Sequence, residues 1–121
     1  MEDALMTAHT FLGARILLNT LLLPAARTQS GLEFRAAIAD CCLCHHERWD
    51  GTGYPLGLAG ESIPYLARLV AIADAYEAMI ADRPYQKALS RQQALRTISE
   101  GAGNQFDPIL AGLFCGVQRN A

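Results

Sequence analysis

Two glycines and a proline fall within six consecutive residues, Asp50-Gly51-Thr52-Gly53-Tyr54-Pro55. No regular helix survives that density of punctuation, so this segment is a loop with unusual backbone angles. Whatever comes before and after it must pack around it. On both sides apolar residues recur at helical spacing, and no segment alternates as a strand does. The expectation is an all-α fold, a bundle of about five helices with this glycine- and proline-rich loop set into it.

The pattern places a first helix over about Asp3 to Leu18, with Leu5, His9, Leu12 and Ile16 on one face. Pro24 and the run Thr28-Gln29-Ser30-Gly31 read as a loop. A second helix begins near Leu32 and turns Phe34, Ile38, Cys41 or Cys42, and His45 inward. Ser62 reads as the N-cap of a third helix, with Pro64 in its first turn. That helix carries Leu66, Leu69, Val70, Ala73, Tyr76 and Ile80, with Asp74 among them, and stops at Arg83-Pro84. Ser90 and Gln93 form a capping box for a fourth helix through Leu95 and Ile98, which Gly101 and Gly103 close. Asp107 and Pro108 open a last helix that offers Leu110, Leu113, Phe114 and Val117 for packing.

A length of 121 residues fits one domain. The formal charge of −2 argues against binding duplex nucleic acid, which asks for a basic face. The longest apolar run, Ile16 to Ala26, is broken by Asn19, Thr20 and Pro24 and is too short to span a membrane. The start Met1-Glu2-Asp3 is acidic where a secretion signal is basic. The expected compartment is the cytoplasm, with the four cysteines reduced.

The densest polar cluster is His45-His46-Glu47-Arg48-Trp49-Asp50. Adjacent histidines on a helix diverge by about 100 degrees, so they serve one metal only where the helix ends. The glycine loop immediately after them puts such an end there. His9 and Asp74, on two other helices, could complete a nitrogen and carboxylate set suited to a divalent transition metal inside a bundle. Taken alone, His9 reads first as a core histidine bonded to backbone, and Asp74 as a surface or cap residue. Cys41-Cys42-Leu43-Cys44-His45 also contains the C-x-x-C-H haem-attachment spacing and could be read as a thiolate zinc site, or as small residues packing a helix face.

The run from His45 to Pro55 resembles, at every fixed position, the H-H-E-x-x-D-G-x-G-Y-P signature of HD-GYP domains. Gly57-Leu58-Ala59-Gly60-Glu61-Ser62-Ile63-Pro64, Ala67-Arg68 with Ala73-Asp74, Asp82-Arg83-Pro84-Tyr85, and Gly103 through Pro108 resemble later motifs of the same family, in its order. Met6, His9, Thr10 and Gly13 resemble the helix that holds a further metal-binding histidine. The resemblance implies a metal-dependent phosphodiesterase of the HD type that hydrolyses cyclic di-GMP, or a related cyclic dinucleotide, to linear dinucleotide or GMP. It implies that His9, His45 and His46 bind one metal of a cluster of two or three ions, iron or manganese, that Asp74 binds the neighbouring metal, and that Tyr54 and Arg83 contact substrate phosphate. Gly51, Gly53 and Pro55 would shape the loop so that backbone comes close to the ligand.

The family's H-D-x-G-K motif stands before the helix matched by His9, and this chain begins at Met1. The expectation is therefore a partial HD-GYP domain over residues 1–121, with catalytic residues unassigned because the His-Asp pair is absent and with no turnover by the chain alone. Gln86 stands where the family commonly has a basic residue. The alternative is a non-catalytic remnant that binds a metal, a nucleotide or a protein. Either reading leaves an apolar face that invites self-association or a covering partner.

Overall fold

The computed structural model describes residues 29–82 and 84–120. Within them the chain forms α1 Gln29–Cys44, α2 Tyr65–Ile80, α3 Arg91–Glu100 and α4 Pro108–Arg119, with a 3-10 turn at Gly60–Ser62. No strand forms among the described residues, as expected for an all-α chain. The helix expected over Asp3 to Leu18, with His9, lies outside them. Among the described residues no helix is long and apolar enough to cross a membrane.

α2 is the central element: α1, α3 and α4 all pack on it, and α3 also packs on α4. The main core joins Ile72 of α2, Leu95 and Ile98 of α3, Phe106 of the connecting loop, and Leu110, Ala111 and Cys115 of α4. Ile72 and Ile98 are fully buried, each stabilising the fold by roughly 1.5–3 kcal/mol. A smaller cluster of Cys44, Ile63 and Ala67 fixes the end of α1 to the start of α2. The helix starts follow local chemistry. Ser90 accepts from the Gln93 N–H while the Gln93 side chain accepts from the Ser90 N–H, the capping box read from the sequence. Asp107 accepts from Ile109 and Leu110, with Pro108 in the first turn.

Several boundaries and faces differ from the sequence expectation. Gln29, Ser30 and Gly31 belong to α1 rather than to a loop, since a first turn tolerates glycine where no interior bond is lost. Pro64, not Ser62, is the N-cap residue of α2, because Ser62 is spent in the 3-10 turn and Ile63 is drawn into the small cluster. The inward face of α1 buries Arg35 and Ala39, whereas Phe34 is 64% exposed. On α2 the core is carried by Ala67 and Ile72, while Leu66, Leu69, Ala73 and Ile80 face outward. On α4 Leu113 and Val117 are exposed and Leu110 is buried. These helices are apolar around much of their circumference. Periodicity finds such a stripe but not which side of it meets a neighbour.

Candidate metal centre

The two histidines stand where α1 unwinds. The His45 N–H still donates to the Cys41 carbonyl at 2.9 Å, and the Glu47 N–H to the Cys44 carbonyl at 3.0 Å. That last turn cancels much of the angular divergence of adjacent helical residues, and the two imidazole centroids lie 4.1 Å apart. His45 Nδ1 sits 3.0 Å from the Cys42 carbonyl and 3.1 Å from the Cys41 carbonyl. Carbonyl oxygens only accept, so Nδ1 carries a proton and is the donor in these contacts. A backbone-fixed Nδ1–H with Nε2 turned to the ligand is the usual state of a metal-binding histidine.

The loop after the pair is folded back on it by Glu47. This residue is 4% exposed. Its Oε1 accepts from the N–H groups of Leu56 (2.6 Å) and Gly57 (3.1 Å), and Oε2 from that of Leu58 (3.0 Å). One carboxylate thus satisfies three donors of a segment that has no ladder of its own. Gly53 is pressed against the same turn: a Cβ there would lie 2.5 Å from Arg48 N and 2.6 Å from the His46 carbonyl oxygen. That contact lets the Tyr54 ring stack on His46, with centroids 5.1 Å apart and planes 19° from parallel. The Tyr54-Pro55 peptide is cis, and Gly51 has φ +80. Asp50 closes a small turn, accepting from the Thr52 hydroxyl at 2.6 Å and its N–H at 3.0 Å. Those two bonds, then Arg48 at 3.4 Å, hold the Asp50 carboxyl below its ordinary range.

The whole loop is fastened to the turn before α4 by main chain. The N–H of Trp49 donates to the Gln105 carbonyl at 3.1 Å, and that of Asp50 to the Asn104 carbonyl at 2.8 Å. Arg68 of α2 reaches the same region, its Nε donating to the Ile63 carbonyl and its Nη1 to Asp107.

His45, His46, Arg48 and Tyr54 line one cavity of about 300 Å³, and Asp74 with Ala71 and Ala75 of α2 forms its facing wall. Four of the candidate residues read from the sequence, His45, His46, Tyr54 and Asp74, are therefore brought together. Gly51, Gly53 and Pro55 shape the loop beside them, and His9 and Arg83 lie outside the described residues. A larger cavity, about 460 Å³ between α3 and α4, shares none of these residues and holds no histidine. In kind, two neutral imidazoles and a carboxylate suit a divalent transition metal. Among the described residues no three His, Cys, Asp or Glu side chains stand close enough together to hold an ion.

Of the cysteines beside the histidines, Cys44 packs in the small cluster with Ile63 and Ala67. Cys44 is 3% exposed, and burial, then Glu47, Asp40 and Cys41, push its thiol up to about 11. Burial and then Cys42 raise Cys41 as well. A thiol held protonated is a poor nucleophile. The roles of Glu47 as loop clamp and Arg68 as a strut were not foreseen from the sequence; both sit in matched motifs, but only coordinates show what they bond.

Comparison with known proteins bears on this geometry. The family profile described as "HD domain" matches residues 13–110. A cyclic di-GMP phosphodiesterase of Vibrio cholerae is 41% identical over 117 residues, covering 97% of this chain and 23% of the relative. A cyclic di-GMP phosphodiesterase of Thermotoga maritima is 37% identical over 119 residues, covering 98% of this chain and 29% of the relative. Among solved structures, a cyclic GMP-AMP-specific phosphodiesterase of Vibrio cholerae superimposes with a TM-score of 0.61 at 27% identity, over 69% of this chain and 19% of that one. The chain thus spans about a quarter of the length of these relatives. With the profile matched over most of its length and the His45–Pro55 signature built into the cavity wall, this chain belongs to the HD-domain family, in its HD-GYP group.

Proposed function

We propose that residues 1–121 form part of an HD-GYP domain and contribute metal-binding and substrate-contacting groups to a phosphodiesterase that hydrolyses a cyclic dinucleotide. The observation that carries this reading is the shared cavity of His45, His46, Tyr54 and Asp74, with His45 Nδ1 held by backbone carbonyls. His9, His45, His46 and Asp74 are the proposed ligands of iron or manganese. When bound, such an ion would activate water and offset charge on the phosphate oxygens.

The rest of the chemistry falls to this chain's own groups. Tyr54, braced on the His46 ring, presents a phenol to the cavity and is the proposed contact for substrate phosphate. Arg48 adds a cation to the same wall, and Arg83 is the second proposed phosphate contact, on the strength of the D-R-P-Y resemblance. Forked guanidinium donors suit that task. The relatives' names include both cyclic di-GMP and cyclic GMP-AMP, so the substrate class proposed is the cyclic dinucleotide.

The alternative is a non-catalytic remnant that binds a metal, a nucleotide or a protein. Elemental analysis of the chain purified with iron(II) or manganese(II), with cyclic di-GMP turnover assayed in the same sample, separates the two. About one metal per chain, lost in His46→Ala, supports the proposed ligands. Turnover abolished by the same change supports the phosphodiesterase, whereas bound metal without turnover favours the alternative. A metal-free chain overturns the proposed ligands and the phosphodiesterase reading, and leaves a remnant that binds a nucleotide or a protein.

A further inference from the structure

Helix α4 turns an uninterrupted apolar ridge to solvent. Ile109, Leu113 and Val117 recur every four residues and are 73%, 62% and 66% exposed. Gly112 and Gly116 run alongside them, and a Cβ built on either would meet nothing within 4 Å. The ridge borders a groove of about 240 Å³ whose other wall is Tyr65 and Leu69 of α2. Tyr65 is 61% exposed.

We infer that this α2–α4 face is a self-association surface, and that its occupant is α4 of a second copy of this chain. Three observations point to that partner. The five exposed side chains leave roughly 500–600 Å² of apolar surface in water, the upper end of what a lone monomer shows and near the ~800 Å² per partner of a specific interface once the glycine ridge is added. From Pro108 to Gln118 the helix carries no charge, so a twofold contact of α4 with itself sets no like charges together. The spacing is also self-complementary: a twofold axis at Leu113 lays Ile109 of one copy against Val117 of the other, an isologous arrangement. The two glycines let the helix axes approach closely, since interaxial distance is set by the side chains at the contact.

The surface lies on the opposite side of α2 sequence positions from those that line the histidine cavity: Tyr65 and Leu69 against Ala71, Asp74 and Ala75. Association can therefore be tested independently of the metal site. The experiment is sedimentation velocity of the 121-residue chain from about 5 to 200 μM, with the variants Leu113→Lys and Gly116→Leu. Helical circular dichroism and melting temperature serve as folding controls. The expected result is a species of twice the 13.1 kDa chain mass at the higher concentrations. Leu113→Lys should raise its dissociation constant at least tenfold.

Gly116→Leu is the sharper test. Leucine is the better helix former and adds apolar surface, so it should raise the melting temperature and strengthen nonspecific clustering. In a close-packed α4–α4 seam it must instead weaken the dimer. A monomer at 200 μM, a dimer indifferent to both changes, or association strengthened by Gly116→Leu would each overturn the inference.

Discussion

Arg68 Nη1 lies 2.6 Å from Asp107 Oδ2, which joins the central helix to the cap of the last one across 39 positions of sequence. The two side chains are 15% and 5% exposed, so this is a largely buried pair rather than a surface one. Asp107 also accepts from the N–H groups of Ile109 and Leu110, which makes the carboxylate the common partner of three donors. Removing the arginine leaves a buried charge with only the cap bonds. Arg68→Ala should cost about 2–3 kcal/mol. Thermal unfolding followed by circular dichroism should show a melting temperature lower by about 10 °C.

The same pair sets a pH dependence. Burial pushes the Asp107 carboxyl up, but the bonds from Leu110, Arg68 and Ile109 outweigh it and hold the pKa below the ordinary carboxylate value. A group whose folded pKa is depressed contributes stability above its unfolded pKa, about 3.9, and loses it as pH falls through the folded value. Melting temperature measured between pH 5 and pH 2.5 should therefore fall, with the Asp107 part of the fall confined below about pH 4. The profile of Asp107→Asn should be flatter in that window and lower at neutral pH. Superimposable profiles would refute the assignment.

Glu47→Gln tests the loop clamp. The amide keeps one oxygen but turns an NH2 group toward a backbone N–H it cannot accept from. The expected loss is about 2 kcal/mol, and hydrogen exchange at Leu56, Gly57 and Leu58 should accelerate by tenfold or more. Because the same loop holds Tyr54 against His46, metal affinity should drop by roughly tenfold if the pair binds a metal.

Gly53→Ala probes the closest backbone approach. The added methyl would stand 2.5–2.7 Å from Arg48 N, the His46 oxygen and Glu47 Cα, all of them main chain that cannot swing aside. The loop must shift, and a destabilisation above about 2 kcal/mol is expected. The control is Gly60→Ala, where a Cβ meets nothing within 4 Å and the strain comes from φ +57 alone; its cost should be nearer 1 kcal/mol. Equal melting temperatures for the two variants would show that the crowding at Gly53 is relieved easily.

What the sequence disclosed and what it hid follow from the range of the interactions. The capping box at Ser90 and Gln93 and the Asp107-Pro108 helix start are local bonds, so a few residues suffice to specify them. The end of α1 at the histidine pair was legible for the same reason, because the glycine loop leaves the helix nowhere to go. The faces of Phe34, Leu113 and Val117 were not legible, since burial there is decided by which helix lies opposite. Ser62 looked like a cap by type, yet the burial of Ile63 moved the cap to Pro64. Glu47 and Arg68 were visible as matched letters, but a carboxylate reaching ten residues ahead, or a guanidinium reaching 39, leaves no trace in local pattern.

The tie from Trp49 and Asp50 to Gln105 and Asn104 is made wholly by peptide groups. A main-chain bond is blind to the side chain above it. The side chains at 104 and 105 can therefore change without breaking this anchorage, although Gln105 also lines the histidine cavity. The joint on which the cavity hangs is thus written in the backbone's course rather than in the letters of the two residues that make it.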